Sequence, residues 1–245
     1  MASREYHRMI SVAQHPILPH WNFEVQMRRM FDMACALAGL FVLVPVFAII
    51  AVAIKLDDGG PVFFLQPRVG KGLCKFRLFK FRSMVSHGAE GSLLTAPHDA
   101  RVTRVGRLLR KYKLDELPQL VNVLKGEMQL VGVRPQVEKF VELFRDEYEE
   151  LLRTPPGITD LASLSFRNEE RFFQASSNEE RYIAKILPFK LQIALGYSRT
   201  RTFLSDLEIL FRTVLGFSSP SYLWKNGESD PEGQSLSEFI SKNFS

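Results

Sequence analysis

The feature that most restricts this chain is the run from Ala34 to Ile54, ACALAGLFVLVPVFAIIAVAI, about 21 residues without a charge. As a straight helix rising about 1.5 Å per residue it would just cross a hydrocarbon core of roughly 30 Å, so the fold has to place it in a membrane. A cleaved secretory signal fits poorly: Ala51-Val52-Ala53 has the small-residue pattern, but the apolar run and the segment before it are both too long. Pro45 sits near the middle of the run. It has no N–H to give to the Phe41 carbonyl, and such a proline tends to kink a helix. Each half would then measure about 16 Å, enough to enter one leaflet. Arg28 and Arg29 precede the run, and Lys55, Arg68 and Lys71 follow it, so charge gives no clean orientation for a spanning helix. A kinked spanning helix and a re-entrant one with both ends on the same side fit the residues; only the second removes the charge conflict.

With 245 residues, 46% of them hydrophobic, the chain has material for one core of moderate size beside the membrane element. The net charge is +5, and the excess is local. Between Arg68 and Lys113 basic residues far outnumber Glu90 and Asp99, which implies an anionic partner: nucleic acid, acidic lipid or a phosphorylated substrate. Cys35 and Cys74 show no paired spacing, and the five histidines show no metal-ligand spacing.

In chain order, residues 1–32 read as a leader on the membrane surface, with an amphipathic stretch from Phe23 to Phe31. Val62 to Leu65 and Lys75 to Phe81 read as two short strands around Gly70-Lys71-Gly72, a turn that lacks a dinucleotide fingerprint. Phe76, Phe79 and Phe81 alternate with Lys75, Arg77, Lys80 and Arg82. That pattern suits nucleic acid or a bilayer interface, and the adjoining apolar run favours the bilayer. Ser86 to Ala100 is a polar loop. Val137 to Arg153 is expected as one acidic amphipathic helix burying Phe140, Val141, Phe144, Tyr148, Leu151 and Leu152. Ser177 and Glu180 suggest a capping box for a helix to Leu187, Pro188 opens the next, and Leu204 to Leu215 forms the last. Residues 217–245 turn polar and are expected as a mobile tail.

Arg101 to Pro135 carries the chemistry. Leu117, Leu120, Val121 and Leu124 recur at helical spacing and predict a short helix that begins near Asp115 and ends near Gly126. Pro118 suits its first turn, where Asp115 and Glu116 also complement the helix dipole. Arg104, Arg107, Arg110, Lys111 and Lys113 crowd in upstream, and Arg134 follows downstream.

LDELPQLVNVLKGEMQLVGVRP closely resembles the signature segment of the bacterial sugar transferases, the monotopic phosphoglycosyl transferases that start polyprenol-linked glycan assembly. PVFFLQPRVGKG, KFRSM and PPGITDLASLSFRNEE are similar to further motifs of that family, so the likeness covers most of Phe31 to Gly216. It implies a mainly α fold with a small β-hairpin, a Pro45-broken re-entrant membrane helix over residues 33–55, and a compact cytoplasmic catalytic domain over 56–216. The implied reaction moves a sugar 1-phosphate from a UDP-sugar to membrane undecaprenyl phosphate and releases UMP. It would be the first membrane step of exopolysaccharide, O-antigen, capsule or glycoprotein glycan synthesis, at the cytoplasmic face of the inner membrane. By the same resemblance Asp115 is the nucleophile and Glu116 the Mg²⁺-associated carboxylate, with Asp115 as a further possible ligand. Arg110 and Arg134 would bind substrate phosphate, as would Lys80 and Arg82 in KFRSM. Downstream glycosyltransferases and a second copy of the chain are conceivable partners; nucleic acid is not. The competing class is a non-catalytic, membrane-anchored basic module that binds anionic lipid or nucleic acid, or scaffolds an assembly, and in which Asp115 would be dispensable.

Overall fold

The computed structural model describes residues 21–85, 99–166 and 178–216. The expected polar loop, the Ser177 cap and the C-terminal tail therefore lie largely or wholly outside the described residues.

The apolar run is the middle of one long helix, α1, Trp21–Asp58, 38 residues and about 57 Å in length. The helix continues through Pro45. It begins well before the run because no glycine or proline separates Trp21 from Ala34, so residues 21–32 of the expected leader belong to it. Leu37, Phe41, Val42, Val44, Ile49, Val52 and Leu56 stay exposed along one side. By length and composition α1 could cross a membrane. Its other side is covered by the rest of the chain.

Contacts at both ends fix α1 to the rest of the chain. Near its start, Arg28 pairs with Asp206, and Phe31 meets Phe203 edge-on at 5.3 Å. At its end, Asp58 receives both terminal nitrogens of Arg82. The hairpin follows as β1, Phe63–Val69, and β2, Lys75–Phe81, antiparallel with Phe63 opposite Phe81. Phe81 is almost wholly buried between Phe47 of α1, 5.0 Å away and edge-on, and Phe63, stacked at 5.3 Å. Aromatic packing of this kind adds to the area term and holds the hairpin on α1.

After β2 the chain enters α2, Arg104–Lys111, whose first turn is capped by Thr103, its hydroxyl accepting from Gly106 N at 2.9 Å. Gly106 is required by packing: a Cβ there would stand 2.0 Å from the Ser83 carbonyl oxygen. A single 3-10 turn, Leu114–Glu116, then leads through Pro118 into α3, Gln119–Lys125, which Gly126 ends at φ 82°.

Next come β3, Gln129–Val131; α4, Glu138–Leu143; α5, Arg145–Leu151; β4, Gly157–Thr159; and α6, Leu161–Ser165. β3 and β4 pair in parallel, Gln129 beside Gly157 and Val131 beside Thr159, a pairing that three-residue strands do not announce in sequence. The one acidic helix expected from Val137 to Arg153 is two helices. Phe144 leaves the helical region at φ −131°, ψ 48° and packs against the main core, and Asp146 and Glu147 open a second first turn. The expected buried face survives the break. Short α7, Asn178–Arg181, passes through a widened turn at Tyr182–Ile186 into α8, Leu187–Thr200, with Pro188 in its first turn, and α9, Phe203–Leu215, closes the described chain.

The fold is thus mainly helical with two small sheets. Its largest apolar cluster gathers Val131, Phe140, Tyr148, Leu161, Phe166, Leu187 and Ile209 around the β3–β4 pair, and two smaller clusters line α1.

Candidate active site

The centre is the 3-10 turn between α2 and α3. Lys113 precedes it in the left-handed region at φ 55°, a conformation that costs a non-glycine residue of order 1 kcal/mol and reverses the chain sharply. Asp115 and Glu116 therefore lie in a bend wedged between α2 and β2. The sequence placed them in the first turn of a helix; α3 begins only at Gln119 because the bend and Pro118 come first.

The orientation of α3 also differs from the periodicity reading. Its most buried residues are Gln119, Asn122 and Val123, while Leu120 and Leu124 are partly buried against the cluster beneath α1. The helix is squeezed between α1 and the hairpin, and its hairpin side is polar for a reason. Asn122 Oδ1 accepts from Phe79 N at 3.0 Å, and its Nδ2 donates to the Arg77 carbonyl at 2.8 Å and to Glu127 at 2.7 Å. Asn122 thus supplies the edge of β2 with the partners a third strand would give. It registers Lys80 against the bend. From the other side, Arg29 of α1 donates to the last carbonyls of α3, Val123 at 2.6 Å and Leu124 at 3.1 Å.

Arg134 arrives from β3. Its backbone N donates to Asp160 Oδ2 at 2.7 Å, and the same carboxylate accepts from Ser163 N and caps α6. The PGITD segment therefore acts by holding the Arg134 backbone. Gly157 N donates to the Val133 carbonyl at 2.9 Å, and Arg201 donates to the Val131 carbonyl at 2.8 Å, so the strand before Arg134 is fastened as well. The Arg134 guanidinium closes on Glu116 with both terminal nitrogens, Nη1 to Oε2 at 3.1 Å and Nη2 to Oε1. Lys80 Nζ lies 3.7 Å from the same carboxylate.

These contacts divide the two acids. Burial alone would raise the Glu116 pKa, but Arg134 and Lys80 outweigh it and hold the carboxyl far below its ordinary value. Asp115, 8% exposed, goes the other way. Desolvation raises it first and the Glu116 charge second, against the pull of Lys80, Arg110 and Arg134. Among the described residues no guanidinium fork closes on Asp115. Lys80 is pushed down to about 8, chiefly by burial, with Glu116 opposing the shift and Arg134 and Arg68 adding to it.

Lys80, Arg110 and Arg134 are therefore gathered around the acid pair. Arg82 has another occupation: it is 6% exposed, its fork holds Asp58, and its Nε donates to the Pro61 carbonyl, so it ties the end of α1 to the end of the hairpin. Pro45 lies in the middle of α1. Sequence reasoning missed Arg68, Asn122 and Asp160. For Asn122 a signal existed, a polar residue in the middle of LPQLVNVL.

Among the described residues no three His, Cys, Asp or Glu side chains cluster as a ready metal cage. Two neighbouring carboxylates still fit Mg²⁺, which is commonly held by one or two protein carboxylates with substrate phosphates and water completing its shell.

The family described as bacterial sugar transferase matches residues 23–219. Undecaprenyl-phosphate glucose phosphotransferase of Komagataeibacter xylinus is 36% identical over 84% of this chain and 38% of its own length. The UDP-N-acetylgalactosamine-undecaprenyl-phosphate N-acetylgalactosaminephosphotransferase of Aeromonas hydrophila is 36% identical over 76% of this chain and 42% of its own. The exopolysaccharide production protein ExoY of Sinorhizobium fredii is 32% identical over 76% of this chain and 83% of its own. The chain spans about two fifths of the first two relatives and most of the third. By the extent of the family match and the coverage of the third, it belongs to the bacterial sugar transferase family.

Proposed function

We propose that this chain transfers a sugar 1-phosphate from a UDP-sugar to undecaprenyl phosphate, releasing UMP, as an opening membrane step of polysaccharide synthesis. The observation that carries the reading is the division of labour in the acid pair: Glu116 is committed to Arg134, while Asp115 is buried beside it without a fork of its own. The names of the relatives, all sugar-phosphate transfer or exopolysaccharide proteins, support it.

In this reading an Asp115 carboxylate oxygen attacks the phosphorus next to the sugar. The bond to the bridging oxygen breaks and UMP departs, leaving the phosphosugar on Asp115 as an acyl phosphate. An oxygen of the polyprenol phosphate then attacks the same phosphorus and frees Asp115. Neither step needs a proton from the carboxylate, so Asp115 must enter ionised. Lys80, Arg110 and Arg134 offset the phosphate charge; with one N–H of each Arg134 terminal nitrogen on Glu116, a phosphate oxygen would take the donors that the fork leaves over. Glu116, with Asp115, would hold Mg²⁺. When bound, the ion would neutralise phosphate oxygens and ease the repulsion between the two acids.

The lipid substrate explains α1. Arg28 and Asp58 lie thirty residues apart on that helix, about 45 Å, yet both are paired to the same domain. A helix that crossed the bilayer would put its ends on opposite sides, and one domain could not easily hold both. This supports a monotopic placement with both ends of α1 on one side of the membrane; the cytoplasmic face of the inner membrane and a break of α1 at Pro45 within the lipid belong to the same proposal.

The test is nucleotide release by purified protein given undecaprenyl phosphate, Mg²⁺ and a panel of UDP-sugars. We expect UMP from the wild type with at least one sugar, and a loss of at least about a thousandfold in Asp115→Asn at unchanged thermal stability. Release of UDP would mean ordinary glycosyl transfer. Equal rates in both proteins would remove Asp115 from the reaction.

A further inference from the structure

The transferase reading uses Lys80, Arg110 and Arg134, but a fourth cation faces the same place. Arg68 projects from β1, where it lies opposite Phe76, two residues along β2 from Leu78 and four from Lys80. Cross-strand neighbours share a face of the hairpin, and residues two apart return to it, so Arg68 and Lys80 point to the same side. Electrostatically Arg68 feels Arg134 and Glu116, and Lys80 feels Arg68. The three cations thus converge on one carboxylate.

The hydrogen bonding of Arg68 is incomplete. One terminal nitrogen donates to Gln66 Oε1 at 2.8 Å, which fixes the guanidinium plane. The Nε is fully buried, and among the described residues nothing accepts from it. A buried donor left unpaired is costly, and buried polar groups in native proteins nearly always find a partner. Burial, followed by the repulsion of Arg134, lowers the Arg68 pKa to about 10. Glu116 already answers Arg134, so a surplus of buried positive charge remains with an orphaned donor inside it. A phosphoryl group satisfies both needs: it brings negative charge and accepts several N–H bonds at once.

We propose that Arg68 is a phosphoryl-binding residue of this site, its Nε–H donating to a non-bridging oxygen of a substrate phosphate beside Lys80 and Arg134. The inference rests on the transferase reading for the identity of the substrates. Two of them carry the required chemistry, the diphosphate of the nucleotide sugar and the phosphate of the polyprenol. Gln66 is then a positioning residue that holds the guanidinium plane.

Arg68→Gln and Arg68→Lys, prepared as the full chain in lipid nanodiscs, are compared with the wild type in three measurements. These are the KM for UDP-sugar, the KM for undecaprenyl phosphate, and equilibrium binding of UDP by calorimetry, which needs no turnover. Arg68→Gln should raise one KM by about ten- to a hundredfold, in line with the loss of a charge-assisted bond. Arg68→Lys should recover part of that loss, because it restores the charge but not the fork. Thermal melting should stay within a few degrees. A shift in the donor KM, with UDP binding weakened in parallel, assigns Arg68 to the diphosphate; a shift in the acceptor KM alone assigns it to the lipid phosphate. Unchanged KM values for both substrates overturn the proposal, as does a fall in kcat that follows lowered melting and is not recovered by lysine. A wild type that binds UDP but releases no UMP would sink the transferase reading, and the UDP affinity of Arg68→Gln would then decide this one alone. If UDP does not bind to the wild type either, both fall.

Discussion

Arg82 and Arg134 each grip a carboxylate with both terminal nitrogens, and they do different things. At the open end of the hairpin, Arg82 holds Asp58 and spends its remaining Nε on the Pro61 carbonyl. That cluster is closed: one cation meets one anion and a backbone acceptor, and it joins α1 to β2. In the bend after α2, Arg134 holds Glu116 in the same way, but Lys80 also leans on that carboxylate, and Arg68 and Arg110 add charge around the pair. Among the described residues the second cluster is unbalanced: Lys80, Arg68, Arg110 and Arg134 lie around the two acids Asp115 and Glu116. A balanced buried pair serves the fold, whereas a surplus of one sign in a partly open bend is prepared for a ligand of the other.

The sharpest way to break this comparison is to remove each arginine in turn. Arg134→Gln should lower kcat/KM for UMP release by about a hundredfold, near 2.7 kcal/mol, while the melting temperature moves little, because Arg134 is 29% exposed and Glu116 keeps Lys80 as a partner. Arg82→Gln should do the reverse. It removes a guanidinium that is itself only 6% exposed and takes a partner from Asp58, 23% exposed, and from the Pro61 carbonyl; it should cost about 1–2 kcal/mol of stability, with kcat/KM per folded molecule unchanged. Paired melting and rate measurements on both variants decide it. If Arg82→Gln lost activity at full stability, KFRSM would contribute both of its cations to substrate and the contrast would fail.

This pair also shows what the sequence can convey. Asp115, Glu116, Arg110, Lys80 and Arg134 can be grouped from sequence because each stands in or beside a segment that resembles a family motif, and the structure brings them together; the apolar run indicates by length and composition a helix able to cross a membrane. Sequence groups Arg82 with Lys80 because the two share a motif; the structure instead pairs it with Asp58, since β2 alternates its faces and Arg82 lies one residue beyond the strand, where the chain turns toward α1. Arg68, Asn122 and Asp160 stayed hidden for a different reason. Asn122 and Asp160 bond to backbone groups of distant segments, and Arg68, tied locally to Gln66, meets Glu116 and Arg134 only across the fold; neither kind of neighbour leaves a periodic trace. The same holds for the break at Phe144, where tertiary packing overrides a helical pattern that continues on both sides.

Asn122 offers a smaller effect that sharpens the comparison from the packing side. Replacing it with leucine keeps the volume but removes the partners of Phe79 N and the Arg77 carbonyl. We expect a loss of about 1–3 kcal/mol in chemical denaturation. Because Asn122 registers β2 against the bend, the donor KM should rise a few fold in the folded fraction as Lys80 loosens. Stability lost with an unchanged KM would mean that α3 and the hairpin stay aligned through apolar contacts alone.

The smallest effect near neutral pH belongs to Lys80, and it separates charge held for structure from charge held for a ligand. Burial brings its pKa down to about 8, so below that pH it is a cation beside Glu116 and above it a neutral amine. If the protonated form is the one that binds phosphate, kcat/KM in the free enzyme should fall as pH rises through 8, by about tenfold at pH 9. Bound phosphate favours the charged form, so the same limb should appear at higher pH in kcat. Lys80→Arg remains charged throughout this range and should flatten the alkaline limb, with little change at pH 7 beyond the altered fork geometry. Arg82→Gln should leave that limb where it is if the closed cluster at the open end of the hairpin serves the fold. An alkaline limb that persisted in Lys80→Arg would have to come from another group, and the excess charge around Glu116 would then be fixed rather than titratable.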